Sequence, residues 1–155
     1  MINYKFISNS ENDTKKFAKN LASQLNIGDI VVLTGELGAG KTKFTEGFLS
    51  HFDLQNEISS PTFTIVNEYI SKDIKIAHFD VYRLEDSDEF FAIGGEEYFN
   101  NSICIIEWGE IIENILPSDY IKISFEKNLN NENKRILNIQ TFGNKFDNIF
   151  KYIVK

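Results

Sequence analysis

A glycine-rich segment between an apolar run and a helical run narrows the possible folds of this 155-residue chain more than any other feature. It fits the pattern G-x-x-x-x-G-K-[ST] and reads Gly35-Glu36-Leu37-Gly38-Ala39-Gly40-Lys41-Thr42. The preceding run, Asp29 to Thr34, is short, apolar and rich in β-branched residues, which predicts a strand. Apolar residues recur at helical spacing after the loop, at Phe44, Phe48, Leu49 and Phe52. A strand, a glycine loop and a helix in this order are typical of an α/β fold with a phosphate loop.

This loop predicts a site for a nucleoside triphosphate. Glycines let the backbone curl so that N–H groups point at phosphate oxygens, and the helix start adds its positive dipole end. We expect Lys41 to be exposed at the loop and to reach the β- and γ-phosphates, and Thr42 to present its hydroxyl to Mg²⁺. The other residues expected to line the nucleotide here are Glu36, Leu37, Gly38, Ala39, Gly40 and Lys43.

Two carboxylates end apolar strand-like runs, Asp80 after residues 76–79 and Glu107 after residues 103–106. Ligands of open α/β sheets bind at the carboxyl ends of the strands, so both acids are expected near the loop. We expect Asp80 to join the Mg²⁺ shell and Glu107 to bind the metal, directly or through water, or to position the attacking water. Lys41, Asp80 and Glu107 are therefore the predicted catalytic residues.

Hydrophobic patterns elsewhere predict a mixed sheet with a parallel centre, antiparallel strands added toward the C-terminus, and flanking helices. Ser10 and Asp13 predict the start of a helix with an apolar face of Phe17, Leu21 and Leu25. Residues 128–133 are expected to form an exposed hairpin tip. Besides the strand before the loop, strands are predicted at Asn3 to Ile7, Thr62 to Tyr69, Ile74 to Asp80, Ser102 to Glu107, Tyr120 to Phe125 and Arg135 to Phe142. Further helices are predicted at Glu85 to Ile93 and around Phe146, Ile149, Phe150 and Ile153.

Composition bounds the function. A length of 155 residues with 42% hydrophobic content fits one domain covering residues 1–155. The net charge of −7 argues against direct binding to nucleic acid, which needs clustered Lys and Arg. No apolar stretch is long enough to cross a bilayer and no leader pattern is visible, so we expect no membrane contact and a cytoplasmic location. The single cysteine, Cys104, is expected to be a core residue.

Several short motifs in a fixed order resemble one family, the TsaE (YjeE) family of small ATPases in bacterial tRNA threonylcarbamoyladenosine synthesis. The resemblance extends over most of the chain. After the phosphate loop come Ser60-Pro61-Thr62-Phe63, then Asn67-Glu68-Tyr69, then His78-Phe79-Asp80-Val81-Tyr82-Arg83-Leu84, and finally Ile106-Glu107-Trp108. These blocks in this order are far more specific than the loop alone.

The resemblance implies an ATP- and Mg²⁺-dependent ATPase with a P-loop NTPase fold. It would join two partner proteins, TsaB and TsaD, and support their transfer of a threonylcarbamoyl group to adenosine 37 of tRNAs that read ANN codons. Contact with tRNA would be indirect, through the partners. Family roles map to Lys41 and Thr42 on the phosphates and Mg²⁺, and to Asp80 and Glu107 around the metal. Thr62 would lie in a switch-like segment and Trp108 near the nucleotide.

Some features favour other interpretations. Asn144-Lys145-Phe146-Asp147 spells the N-K-x-D pattern by which many GTPases read guanine, but the companion D-x-x-G is absent after Asp80. A non-catalytic nucleotide sensor is a third class. Of the two arginines, Arg83 and Arg135, only Arg83 lies in a motif, so it is the candidate for an arginine finger in cis; otherwise intrinsic hydrolysis should be slow.

Two further residues carry secondary expectations. Gly109 stands where members of the family often have proline and is expected to loosen the turn that holds Glu107. His78 lacks the spacing of a metal site and is expected to be a structural hydrogen-bonding group.

Overall fold

A computed structural model describes residues 2–36, 38–58 and 65–153, and in these ranges a mixed seven-stranded sheet carries helices on both faces. The strands are β1 Ile2–Ser8, β2 Ile30–Gly35, β3 Val66–Ser71, β4 Ile74–Asp80, β5 Ile103–Glu107, β6 Tyr120–Asn128 and β7 Asn131–Phe142. The helices are α1 Glu11–Ala22, α2 Lys41–Ser50, α3 Ser87–Ala92, α4 Tyr98–Asn101 and α5 Phe150–Ile153. Short 3₁₀ segments cover Gln55–Glu57, Gly95–Glu97 and Gly109–Ile115.

The strand order is β1-β7-β6-β2-β5-β4-β3. The four central strands β6, β2, β5 and β4 run parallel, whereas β1 and β7 on one side and β3 on the other are antiparallel to their neighbours. The predicted parallel centre with added antiparallel strands is therefore confirmed. The two hydrophobic cores lie on opposite sides of this sheet because β2 alternates, with Val31 and Leu33 packing against α1 and α2 and Ile30 and Val32 against the other layer.

Helix α1 begins as its sequence indicates. The Ser10 hydroxyl accepts the Asp13 amide at 3.1 Å, and the Asp13 carboxylate accepts the Asn9 amide at 3.0 Å. This reciprocal cap satisfies two amides that have no partner inside the helix. Phe17 and Leu21 of the predicted apolar face are buried against α2 and the sheet, whereas Leu25, also buried, lies beyond the end of α1 at Ala22.

The remaining boundaries show where local patterns mislead. Strands β6 and β7 continue further into the hairpin than predicted, and only residues 129 and 130 separate them. The predicted closing helix is confirmed only for its last turn, α5, because residues 144–149 form turns. The predicted strand from Thr62 begins outside the described residues, and β3 starts at Val66. Helix α4 and the 3₁₀ segment after β5 were not predicted. None of the helices in the described ranges is both long and apolar enough to cross a membrane.

Candidate functional site

The glycine loop joins β2 directly to α2. Gly40 caps the helix with φ of 112° and Gly38 has φ of 79°, a region of backbone conformation that side chains disfavour. Helix α2 begins at Lys41 and buries Phe44, Phe48 and Leu49, so its start is fixed against the core. Its first amides point out of the helix toward the loop, where they can bind an anion.

Beside the loop lies a cleft of about 440 Å³, which we call the loop cleft. Its size is within the range of small-molecule sites. It opens at the carboxyl ends of the parallel strands, where β4 and β5 end at Asp80 and Glu107. The predicted site residues that line it are Gly38, Gly40, Lys41, Thr42, Lys43, Asp80, Glu107 and Trp108. The cleft therefore brings together three segments that are far apart in the sequence: the loop with the start of α2, the end of β4, and the end of β5.

Lys41 is not exposed as predicted; only 6% of its surface is accessible. Its ammonium donates to the Gly35 carbonyl at 2.8 Å and lies 4.2 Å from the centre of the Trp108 ring, a cation–π arrangement. Burial lowers the pKa of Lys41 below its usual 10.5, while the negative charges of Glu107, Asp80 and Glu110 act in the opposite direction. The lysine is thus held by a backbone carbonyl and an aromatic ring.

Asp80 and Glu107 are direct neighbours in the register of β4 and β5. One Asp80 oxygen accepts the Tyr82 amide at 3.0 Å, and one Glu107 oxygen lies 2.7 Å from Nε2 of His78. In the described ranges, no three His, Cys, Asp or Glu side chains cluster closely enough to hold a metal by themselves. Mg²⁺ is typically bound by one or two carboxylates together with substrate phosphates, and two carboxylates with the Thr42 hydroxyl form an all-oxygen donor set that suits it.

Trp108 connects the strand end to the loop. It has a left-handed backbone, with φ of 64°, and its amide donates to the Leu33 carbonyl at 2.8 Å. The exposed ring of Tyr82 lies 5.2 Å from the indole. A Cβ at Gly109 would come within 2.7 Å of the Val32 side chain on β2, so glycine lets the turn pack closely against that strand. The expectation that Gly109 loosens the turn holding Glu107 stays a prediction.

The other predicted nucleotide contacts have different surroundings. Glu36 is exposed and does not line the loop cleft, while Ala39 is buried in the core. Lys43 lines the cleft, but its ammonium lies 3.5 Å from the carboxylate of Glu46 and 3.9 Å from that of Glu11. Leu37, and Thr62 with the rest of residues 59–64, lie outside the described residues.

Several cleft residues were missed by sequence reasoning. The β6–β7 hairpin, predicted only as an exposed tip, brings Glu132, Asn133 and Arg135 to the cleft. The Arg135 guanidinium donates to the Gly38 carbonyl at 3.4 Å, so Arg135 approaches the loop, whereas Arg83 is exposed and lies outside the cleft lining. The rest of the lining consists of Ser10, Glu11, Thr14, Ile58 and His78. The hairpin turn was visible in the sequence, but nothing in it indicated where the hairpin points.

The N-K-x-D pattern lies at the other end of the sheet. Phe142 pairs with Tyr120, which begins β6, whereas Gly35 at the loop pairs with Phe125 further along β6. Residues 144–147 therefore follow the amino-terminal edge of the parallel strands. Lys145 forms an ion pair with Asp29, and Phe146 is buried with 4% of its surface exposed. This placement removes the structural basis for reading a guanine held at the loop.

The parallel centre, the loop between β2 and α2, and the acids at the carboxyl edge define the P-loop class of α/β proteins. The chain superposes on the crystal structure of Bacillus subtilis YdiB with a TM-score of 0.76 and 29% identity, covering 98% of this chain and 94% of the other.

Sequence comparison narrows the class to one family. The profile of threonylcarbamoyl adenosine biosynthesis protein TsaE matches residues 8–136. The tRNA threonylcarbamoyladenosine biosynthesis protein TsaE of Rickettsia felis is 43% identical over 136 residues, which are 87% of this chain and 78% of that protein. The Bacillus subtilis protein of the same name is 37% identical over 87% of this chain and 84% of its own length. The chain belongs to the TsaE family of threonylcarbamoyl adenosine biosynthesis proteins.

Proposed function

We propose that this protein binds and hydrolyses ATP with Mg²⁺ at the loop cleft, and that this activity supports threonylcarbamoylation of adenosine 37 in tRNAs reading ANN codons. The observation that carries the proposal is the convergence of Lys41, Asp80 and Glu107 on one cleft beside a phosphate loop. A lysine and two acids beside helix-start amides match the needs of a triphosphate with its metal. Family membership supports the pathway.

In this proposal, Lys41 binds phosphate oxygens when the nucleotide enters the cleft. Its ammonium has three N–H donors, and the Gly35 carbonyl accepts from one of them. Phosphate oxygens would supply the negative charge that offsets the cost of its burial. Thr42, Asp80 and Glu107 would hold Mg²⁺, which supplies charge neutralisation for the β- and γ-phosphates.

The cleft extends from the loop toward the start of α1 and the β6–β7 hairpin. Its lining there includes Ser10, Glu11, Asn133 and Arg135. Since the phosphates belong at the loop and α2, the nucleoside would extend into this part of the cleft. Arg135, which already donates to the loop carbonyl of Gly38, would face the phosphates from the hairpin side.

The rate of hydrolysis should depend on partners. Arg83, the candidate for an arginine finger, is exposed outside the cleft lining, and Arg135 donates mainly to backbone carbonyls of the hairpin. We infer slow turnover by the protein alone and faster turnover when the TsaB and TsaD homologues complete the site. Transfer of the threonylcarbamoyl group would be their chemistry. Because its net charge is −7, this chain would contact tRNA only through the TsaB and TsaD homologues. The proposed location of this activity is the cytoplasm.

Two measurements test this proposal. The first is phosphate release from Mg²⁺-ATP by the purified protein, alone and with the TsaB and TsaD homologues; we expect weak basal release that rises with both partners, and equal rates would contradict partner activation. The second is mass-spectrometric quantification of threonylcarbamoyladenosine in tRNA from depleted cells. Wild type should restore the nucleoside and Lys41→Ala should not; a level unchanged by depletion would refute the role in this modification.

A further inference from the structure

His78 is the buried neighbour of a proposed catalytic carboxylate. It lies on β4, with 3% of its surface exposed, and its Nε2 is 2.7 Å from Oε2 of Glu107 on β5. The two strands are hydrogen-bonded in parallel, with His78 opposite Ile105 and Asp80 opposite Glu107. The contact therefore joins side chains fixed on two central strands of the sheet.

The surroundings of the ring determine which nitrogen carries the hydrogen. A carboxylate only accepts hydrogen bonds, so Nε2 must donate to Glu107. The other nitrogen, Nδ1, is buried and has no hydrogen-bond partner among the described residues. A hydrogen on that nitrogen would leave a donor unsatisfied in the interior, which is unfavourable. A hydrogen on Nε2, donated to Glu107, is the arrangement that fits both observations.

This hydrogen bond orients the Glu107 carboxylate but uses only one of its two oxygens. Oε2 accepts from the ring, and the second carboxylate oxygen, which has no hydrogen bond to the residues that the structure describes, can face a metal ion or a water molecule in the cleft. Glu107 is mostly shielded, with 14% of its side chain exposed, so few other groups compete for it. Groups that orient a ligating carboxylate in this way commonly affect activity as strongly as some direct ligands.

We propose that His78 is a positioning residue, which orients the Glu107 carboxylate toward the metal and the attacking water through its Nε2–H donor. The proposal rests on the function proposed above. It gives the hydrogen-bonding role expected of His78 a specific partner, with Nε2 donating to Glu107.

Matched substitutions separate the donor from the bulk of the ring. His78→Leu keeps apolar volume and removes the donor, whereas His78→Gln places an amide N–H near the position of Nε2. We expect His78→Leu to lower kcat for ATP about 10- to 100-fold with partners present, while the Kd for Mg²⁺-ATP changes less than about threefold. His78→Gln should recover most of the lost kcat. His51→Leu, at the exposed second histidine, is the control and should leave both quantities unchanged.

The outcomes decide between positioning and plain structural support. Tm measurements identify variants that are folded. A folded His78→Leu protein with wild-type kcat, or a folded His78→Gln protein as slow as His78→Leu, would overturn the proposal. A fall in nucleotide affinity equal to the fall in kcat would also overturn it, because it would place His78 in binding.

A spectroscopic measurement keeps this test separate from the proposed ATPase. In the free protein, ¹⁵N–¹H correlation spectra should show the hydrogen of the His78 ring on Nε2, and Glu107→Ala should remove this preference for Nε2 over Nδ1. If wild-type protein hydrolyses no ATP even with partners, the proposed function fails, and this spectrum alone decides whether His78 holds Glu107. An Nδ1–H ring in wild type would refute it.

Discussion

The two edges of the parallel centre use the same residue types for opposite purposes. At the loop edge, where β2, β4 and β5 end, glycines, Lys41 and the strand-end acids Asp80 and Glu107 lie at a cleft, together with further charged residues of α1, α2 and the hairpin. At the far edge, where β2 and β6 begin, Lys145 and the acids Asp29 and Asp119 bind one another or neighbouring backbone amides. The comparison separates polar groups that hold the fold together from polar groups that are available to a ligand.

The far edge is internally satisfied. Asp29, with 2% of its surface exposed, accepts the Asn26 amide at 2.7 Å and is paired with the Lys145 ammonium. Asp119 accepts the amides of Asn144 and Lys145 at 3.0 and 3.2 Å. Asp29, Asp119 and Lys145 thus each meet a partner of opposite sign or a backbone donor, so these groups stabilise the fold.

At the loop edge, by contrast, some polar groups have few or no hydrogen-bond partners among the described residues. Lys41 donates to a single carbonyl beside an aromatic ring, and three acids act on its charge. Oε1 of Glu110 is buried without a hydrogen-bond partner among the described residues. Unsatisfied buried polar groups are costly, and Glu110 lies close enough to Lys41 for its charge to act on the ammonium. The two edges therefore differ in how fully their polar groups are paired, not in the types of residue that they contain.

The largest expected effect concerns the two lysines. Lys41→Ala should weaken Mg²⁺-ATP binding about 100-fold or more, because the ammonium contact to two phosphates is lost. The fold should persist, since the side chain makes one hydrogen bond, to a backbone carbonyl beside the cleft. Titration calorimetry of wild type and variant measures the change.

Lys145→Met at the far edge is the matched control for that experiment. It should bind Mg²⁺-ATP with wild-type affinity, because Lys145 lies at the opposite end of the strands from the loop. Equal affinity of Lys41→Ala and wild type, or a large loss in Lys145→Met, would contradict the assignment of function to the loop edge.

The second prediction separates binding from chemistry within the loop edge. Thr42→Ala and Asp80→Ala each remove an oxygen donor from the proposed Mg²⁺ site but leave the loop amides and Lys41 in place. We expect Mg²⁺-dependent turnover to fall on the order of 100-fold while nucleotide affinity falls less than about tenfold. Parallel kinetic and binding titrations over Mg²⁺ concentration give both numbers. If the variants kept full turnover at the Mg²⁺ concentration that wild type requires, the assignment of Thr42 and Asp80 to the metal site would be wrong.

Sequence patterns predicted the loop edge well because its signals are local. The phosphate loop, the capped start of α1 and the acids ending β4 and β5 each depend on a few adjacent residues and on strand direction. The carboxyl ends of parallel strands share one edge, so Asp80 and Glu107 could be expected beside the loop before their contacts were known.

What the sequence could not show depends on contacts between distant segments. Arg135 reaches the loop only because the β6–β7 hairpin folds beside β2, a pairing that no local pattern encodes. Lys41 is buried because Trp108 lies over it, 67 positions along the chain. Asn144 to Asp147 matched a guanine-binding pattern, yet its meaning depended on which edge of the sheet it occupies.

The third prediction tests the structural role of the far edge. Lys145→Met removes the ammonium that pairs with the buried Asp29 carboxylate, which then keeps one described backbone donor. Because half of the Lys145 side chain is exposed, water replaces part of the lost interaction, and we expect the free energy of unfolding to fall by about 1–2 kcal/mol. Urea denaturation measures it. A double variant with Asp29→Asn should lose less than the sum of the single variants; strict additivity would show that the two side chains do not interact.

The smallest effect is a pH dependence that arises at the loop edge in the absence of ligand. Burial lowers the pKa of Lys41 in the folded protein below the 10.5 of an unperturbed lysine. Between the folded pKa and 10.5 the unfolded chain therefore binds more protons, so the free energy of unfolding contributed by this group rises with pH across that window. Below the window both states are charged and the folded protein carries the full cost of burying the ammonium.

The uncharged Lys41→Met variant lacks this dependence and should have its greatest stability advantage over wild type near neutral pH, with the advantage shrinking as pH approaches 10.5. Urea denaturation of both ligand-free proteins at several pH values gives this difference. An advantage that is constant with pH would mean that burial does not destabilise the Lys41 ammonium, and the contrast between the two edges would then lie only in their access to ligands.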